Sequence, residues 1–339
     1  MTIGRHTIEA RRRNFGFTIV ELLVVIVVIG ILAAITIVSY TGITGRAAIA
    51  SVQSDLTNAS QQLKLFQIDN SVYPTTINCA LPDSSTNKCI KASSGNSYSD
   101  FQIDNTSSPQ SFCLTSTSTN GGSYRITEDG NSKVGNCSRQ SCYAILNAGE
   151  SYGSGIYWTK SGGTYTRVYC DMITSGGGWT LLITNPNPNS YPNWNMTTIY
   201  SLNSNNPSIS SPYSILNKAD SIKSNISGNL QYRIDAESFG HWGGVWKAPF
   251  TNTFVGTTVV NNATNIEQYD VWTIDTSLGT IALTNVMPWI GNTTQLLSTW
   301  GNTGSWYGTL VTGILWNGGY TPYIHTQKET PSIIWYWVK

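Results

Sequence analysis

Charge is scarce in this 339-residue chain: 11% of its residues are Asp, Glu, Lys or Arg, and the formal net charge is +1. Nucleic-acid binders carry a marked basic balance, so no nucleic-acid partner is expected. Histidine is almost absent, with His6, His241 and His325 scattered along the chain, and no Cys-x-x-Cys occurs; a zinc site of ordinary spacing is not indicated. No nucleophile elbow, HExxH or phosphate-binding glycine loop is present. Paired carboxylates have no local signature, but nothing else points to catalysis, and no catalytic residue is expected. Tryptophan is missing before Trp158 and cysteine after Cys170. Proline is missing between Phe17 and Pro74, so Gly30 and Gly42 are the only obvious weak points for a long helix there.

The length suggests about two domains at roughly 100–200 residues each. All twelve tryptophans lie between Trp158 and Trp337, which puts a composition boundary near residue 140. Ser, Thr, Asn and Gly dominate the polar positions, a surface suited to an extracellular β-rich protein. The six cysteines are Cys79, Cys89, Cys113, Cys137, Cys142 and Cys170. An even number behind an export segment reads as up to three disulfides in an oxidising compartment.

The export segment is RRRNFGFTIVELLVVIVVIGILAAITIV, residues 11–38. Ile19 to Val38 is long enough for one bilayer crossing, about 20 residues. Arg5, Arg11, Arg12 and Arg13 precede it and only Arg46 follows closely, which keeps residues 1–16 cytoplasmic and sends everything after about residue 40 outside. An ordinary secretory signal has an apolar core of about 7–15 residues. This one is longer, and it carries Glu21. A carboxylate at a membrane helix centre costs roughly 2.5–3.5 kcal/mol. Either Glu21 snorkels at the membrane face, or it has a partner.

Gly16-Phe17-Thr18-Ile19-Val20-Glu21 and the apolar run behind it resemble the type III signal of type IV prepilins and pseudopilins. The resemblance implies cleavage by a membrane peptidase between Gly16 and Phe17, methylation of the new Phe17 amine, and retention of the helix. It also implies that Glu21 pairs with the Phe17 amine of an adjacent subunit in a filament core. Many members of that family carry a proline partway along the helix, and this chain does not.

The helix is expected to continue to about residue 69. Ile49, Val52, Leu56, Ala59, Leu63 and Phe66 recur at three- and four-residue steps, one apolar stripe suited to packing on a sheet, with a heptad coiled coil as the alternative. Asp69-Asn70-Ser71-Val72-Tyr73-Pro74 stops it. Residues 75–138 read as a small sheet: SFCLTSTST and SYRITEDGN alternate, and Asn120-Gly121-Gly122 between them is a hairpin signal. Cys113 and Cys137 flank this region, and Cys79 with Cys89 could close a short loop. Sequence leaves that connectivity open.

Residues 141–182, SCYAILNAGESYGSGIYWTKSGGTYTRVYCDMITSGGGWTLL, resemble the opening of fibrinogen-like C-terminal domains. The matching positions are Cys142, Gly155, Tyr157, Val168-Tyr169-Cys170-Asp171-Met172 and Gly176-Gly177-Gly178-Trp179-Thr180. The resemblance implies a Cys142–Cys170 disulfide. LQYRIDAESFG, YDVWTID and LWNGGYTPY resemble later parts of that fold. The usual C-terminal disulfide is missing. The calcium loop of animal members has no clear match; Asp270 and Asp275 are the nearest acids, so no cofactor is expected, with calcium there as the weaker possibility. The terminal IIWYWVK reads as a buried closing strand.

Aromatics alternate with glycine around His241, Trp242 and Trp246, at Trp300–Trp306, and around Trp316, Asn317 and Tyr320. Exposed rings beside Asn or His hold sugars by stacking plus directed hydrogen bonds; the alternative is that most of these rings are core. The expected fold class is α+β: a long N-terminal pilin helix on a small antiparallel sheet, then a fibrinogen-like head of short strands and loops. The expected divisions are 1–16 leader, 17–70 helix with 17–38 as membrane span and filament core, 71–138 pilin-like sheet, and 139–339 head. The implied partners are other pilins, the prepilin peptidase and methylase, and the membrane before assembly, with a glycan or host-surface ligand for the head. The expected role is a minor, tip-located pilus subunit for adhesion. The alternative is a structural pilin or secretion-type pseudopilin whose head is a cap or spacer. The implied location is the cytoplasmic membrane first, then an extracellular pilus or the cell surface.

Overall fold

The first helix, α1, runs from Ile19 to Asn70 without a break, about 80 Å at 1.5 Å per residue. It passes straight through Gly30 and Gly42. It ends where Ser71 turns to φ 63°, the left-handed cap that stops a helix. The computed structural model describes residues 18–186, 194–269, 286–291, 293, 295–299, 309–313 and 331–339, leaving aside the side chains of residues 38, 39, 41 and 295.

The two halves of α1 live in different surroundings. Ile19, Leu22, Ile26, Ile29, Leu32 and Ile37 are exposed. Val52, Leu56, Ala59 and Leu63 are fully buried. What buries them is an antiparallel sheet of β1 (Asn96–Asp104), β2 (Ser111–Ser118), β3 (Gly122–Thr127) and β4 (Lys133–Val134), paired in that order. Phe112, Leu114 and Ile126 meet the helix stripe in one apolar cluster with Tyr73 and Ile90. Each fully buried Leu or Phe contributes roughly 1.5–3 kcal/mol.

Polar contacts set the register of helix on sheet. The Asp55 carboxylate accepts from the Ser93 amide at 2.9 Å, the Ser93 hydroxyl at 2.6 Å and Asn96 Nδ2 at 2.7 Å. The β2–β3 hairpin tip rests on the helix backbone: a Cβ on Gly121 would lie 2.9 Å from the Ala48 carbonyl carbon. Glycine is therefore required there by close approach, while Gly122 beside it takes the positive φ of 73° that the turn needs.

The other face of β2 is covered too. Cys113 points away from α1 and is bonded to Cys137, and that disulfide packs with the buried Trp158 and with Tyr165. Trp158 belongs to β5 (Gly155–Ser161) and Tyr165 to β6 (Thr164–Asp171), which follow the short helix α2 (Cys142–Asn147). The contact is polar at its margins. Tyr165 Oη donates to Asp100 Oδ1 at 2.8 Å. Arg167 Nη2 lies 3.6 Å from Glu128 Oε1. Buried Arg125 of β3 donates to the Asn136 carbonyl at 3.1 Å and lies over the rings of Tyr152 and Tyr157. Glu150 holds Arg139 on one side and reaches Arg125 at 3.9 Å on the other.

The remaining chain builds a larger sheet from β5, β6, β7 (Trp179–Pro186), β8 (Tyr213–Ser214), β9 (Asn229–Ala236), β10 (Gly243–Pro249), β11 (Thr264–Tyr269) and β15 (Ile333–Val338). Its order is β11-β10-β9-β15-β7-β6-β5, with β8 also on β7. The short helix α3 (Ala219–Ile222) precedes β9, and β12 (Trp289–Ile290), β13 (Gln295–Ser298) and β14 (Thr309–Thr312) form a separate three-stranded sheet. The last strand thus sits in the middle. Its apolar run has neighbours on both edges and buries Tyr336, Trp337 and Val338. The architecture is α+β, a long helix on one antiparallel sheet followed by a strand-rich unit.

The buried half of α1 generates a direct test. Leu56→Ala should lower unfolding stability by about 2–5 kcal/mol, the usual cost of a core Leu→Ala change, in urea titrations of the detergent-solubilised chain. Leu32→Ala, on the bare half, should leave the midpoint unchanged within error. Equal effects of the two would contradict the asymmetry.

Candidate functional site

At the N-terminal end Thr18 caps α1. Its hydroxyl accepts from the Glu21 amide at 3.2 Å, while Glu21 Oε2 accepts from the Thr18 amide at 2.9 Å and the Thr18 hydroxyl at 2.7 Å. This is a reciprocal capping box, the Thr-x-x-Glu pattern visible in the sequence itself. The acid that looks misplaced in an apolar run therefore has a partner three residues away. Both contacts use one oxygen. Glu21 Oε1 accepts no hydrogen bond among the described residues. Gly16 and Phe17 lie outside the described residues. The helix they lead into is long and apolar enough to cross a membrane, by length and composition, and none of its most apolar stretch is covered.

All six cysteines are bonded: Cys79 to Cys89, Cys113 to Cys137 and Cys142 to Cys170. Cys142–Cys170 ties α2 to β6, where Cys170 faces Thr180 of β7.

The aromatic residues singled out for ligand contact separate by position. Trp246, on β10, is 3% exposed and stacks on Tyr232 with centroids 5.5 Å apart and planes at 6°. It is a core ring and not a surface platform, because β10 is an interior strand and its side chain points inward. His241 and Trp242 are half-buried and stack on each other at 5.1 Å. Trp316, Asn317 and Tyr320 lie outside the described residues, as do Asp270 and Asp275. Among the described residues there is no cluster of three or more His, Cys, Asp or Glu that could hold a metal ion.

The loop carrying His241 and Trp242 is held by a buried charge group that the sequence did not mark as one unit. Arg233, fully buried on β9, reaches Asp171 Oδ2 at 2.8 Å and Asp235 Oδ2 at 2.9 Å. Its guanidinium lies 4.5 Å from the Trp337 ring centroid and 5.3 Å from that of Trp179. Register places Trp337 directly opposite Arg233 and Trp335 opposite Asp235. Asp235 Oδ1 then accepts the Gly240 amide at 3.1 Å, and the Ala236 amide donates to the His241 carbonyl at 3.0 Å. Asp171 Oδ1 accepts the Ile173 and Thr174 amides at 3.0 and 3.1 Å. One guanidinium therefore fixes two loops.

The two acids titrate in opposite directions. Burial pushes the Asp235 carboxyl up to about 6 despite Arg233. For Asp171, burial is outweighed by Arg233 and the amide hydrogen bonds, and the carboxyl stays below the ordinary range. A raised folded-state value means that the folded chain binds more protons than the unfolded chain between about pH 4 and 6, so stability rises as pH falls through that window. Asp171 loses its contribution only below about pH 4. We expect the melting temperature to climb on moving from pH 7 to pH 5, by an amount corresponding to roughly 1 kcal/mol. Asp235→Asn should flatten most of that climb. A stability that falls over this range in the parent chain would refute the assignment.

Comparison with known proteins places the N-terminal segment. Residues 11–37 match the prokaryotic N-terminal methylation motif. Over 65 residues the chain is 40% identical to the type II secretion system core protein G of Dickeya chrysanthemi, a match covering 19% of this chain and 42% of that relative. The chain thus spans about two fifths of the length of the relative it matches. Among solved structures, the fibrinogen-like globe domain of human ANGPTL2 aligns over 59% of this chain and 98% of its own, at 12% identity and a TM-score of 0.36. That of human ANGPTL6 aligns over 59% and 95%, at 14% and 0.32. The chain thus carries the prokaryotic N-terminal methylation motif at residues 11–37 and is similar over 65 residues to a type II secretion system core protein.

Proposed function

We propose that this chain is a minor, tip-located subunit of a type IV pilus-like filament, and that residues 139–339 form a head recognising a surface ligand, with glycans as the first class. One observation carries the assembly half of this reading: the helix that begins with the methylation motif is bare from Ile19 to Ile37 and covered from Val52 to Leu63. A bare apolar rod needs lipid or copies of itself. Before assembly the membrane covers it; after assembly the helices of other pilins do.

In this reading a membrane peptidase cuts between Gly16 and Phe17 and the new Phe17 amine is methylated. Glu21 Oε1 then accepts the Phe17 ammonium of an adjacent subunit. A buried pair recovers through Coulomb attraction much of what a lone buried charge loses, and it fixes the axial register of one rod against the next. The capping box occupies one carboxylate oxygen and leaves the other as an acceptor, which suits that role. Residues 71–138 make the pilin sheet. The head is bulky for a unit repeated along a whole shaft, which favours the tip.

A second reading has its own support. Trp158, Tyr165 and Arg167 seat the head firmly on the pilin sheet, as an assembly cap or rigid spacer without a ligand would require. No catalytic role and no metal are proposed.

N-terminal sequencing of the exported chain should give methylated Phe17 as its first residue. Glu21→Ala should reduce the share of the chain in sheared filaments at least tenfold relative to the membrane fraction, read by immunoblot. A different first residue, or undiminished incorporation, would overturn the filament reading. Glycan and host-surface arrays probed with the full chain in detergent should show selective retention; uniformly blank arrays would favour the cap.

A further inference from the structure

A cleft of about 280 Å³ opens between the β5–β6 hairpin and the segment around α3. Thr159, Ser161 and Thr166 line it from one side, and Asn217, Lys218 and Ser221 from the other. No lining residue is acidic. Lys218 Nζ donates to Thr166 Oγ1 at 2.9 Å, and burial holds its pKa below the ordinary lysine range. Among the described residues no carboxylate lies within ion-pair distance of it. Asp220, two residues on, is engaged elsewhere: it pairs with Lys223 at 2.9 Å and accepts the Phe254 amide at 3.1 Å. Lys88 and Lys133, by contrast, each hold an acid at 2.5 Å. A half-buried cation without a counter-charge weakens the fold, and functional sites are where such costs persist.

The hydroxyls around Lys218 have their protons committed. Ser221 Oγ donates to the Lys218 carbonyl at 2.8 Å, Ser161 Oγ donates to the Ser221 carbonyl, and Thr159 Oγ1 donates to the Thr166 carbonyl at 3.2 Å. Their lone pairs remain as acceptors. The cleft therefore offers one ammonium and the Asn217 amide for an anion, beside a row of acceptors for hydroxyl donors. Its volume lies just below the range of drug-sized ligand pockets, which begins near about 300 Å³, and is on the scale of a single ring.

We propose that this cleft binds one acidic sugar residue, with its carboxylate or sulfate on Lys218 Nζ and its ring hydroxyls donating to Ser161 and Ser221. The proposal deepens, and rests on, the reading of the head as a recognition module. It gives that module a ligand class and places the contact on the hairpin side, remote from His241 and Trp242 in the chain.

The test uses the full chain in detergent micelles, titrated calorimetrically with galacturonate, galactose 6-sulfate, galactose and sodium sulfate. Both acidic sugars should bind, and galactose and free sulfate at least tenfold more weakly. Lys218→Gln should lose at least tenfold in affinity for the acidic sugars, and Lys218→Arg should keep most of it. The Gln variant should melt no lower than the parent without ligand, and only the parent should gain melting temperature when galactose 6-sulfate is added. Ser221→Ala gives a second variant, expected to weaken the sugars and leave free sulfate unchanged. Undiminished binding by Lys218→Gln, galactose binding as tightly as its acidic relatives, or free sulfate matching the sulfated sugar would overturn the proposal. Filaments retained on a surface equally with and without Lys218 would remove the cleft and leave head recognition standing. Lys218-dependent titration with filaments retained on no surface would do the reverse.

Discussion

The structure depends on an unequal covering of one helix. A rod of 52 residues is apolar at its start and amphipathic at its end, and the chain that follows can reach only the end. The sheet of β1 to β4 covers Val52, Leu56, Ala59 and Leu63 and stops there. The apolar residues from Ile19 to Ile37 are left exposed. That division fixes the kind of object the chain can be. Its distal part can fold in water, while its proximal part must find lipid or other helices before it is stable.

The same sheet transmits the helix to the head, because β2 is buried on both faces. Phe112 and Leu114 face α1, and Cys113 between them faces Trp158. Alternation along an extended strand makes this possible, and the Cys113–Cys137 bond supplies the surface on which Trp158 lies. The head is then organised around its last strand. β15 pairs with β7 and β9 at once, so neither half of the large sheet is joined to the other until the end of the chain arrives. Such a topology is rich in contacts between residues far apart in sequence, which slows folding.

Local patterns in the sequence revealed local structure. The absence of proline gave one helix, the three- and four-residue spacing gave its buried face, and Asn120-Gly121-Gly122 gave the hairpin. The reason for glycine at 121 was not readable, since it is the backbone of Ala48 that forbids a side chain. Strand β1 was missed because NSYSDFQID has few apolar residues and breaks its pairing between Ser99 and Gln102. Trp246 resembled a surface ring because glycines surround it, yet strand pairing on both sides turns it inward. Arg233 stood in a recognisable strand, but its partners come from β6 and from two positions along its own strand. The hydrophobic pattern carries no sign of that meeting. Thr18 was the opposite case: its capping signal lay in plain view beside a more conspicuous acid.

One buried cation and one half-buried cation show why charge is the least legible part of the sequence. Arg233 is surrounded by two carboxylates and two indole rings. Its interactions are complete within the chain, so its effect is to hold loops in place. Lys218 has a hydroxyl and, among the described residues, nothing negative. Both residues are basic, both follow an apolar stretch, and composition treats them alike. What separates them is whether the fold returns an acid to the same place. Where it does, the charge is internal architecture. Where it does not, the interaction is left half-made, and a ligand that brings the missing anion completes it with little rearrangement, since the ammonium has already been stripped of part of its water during folding.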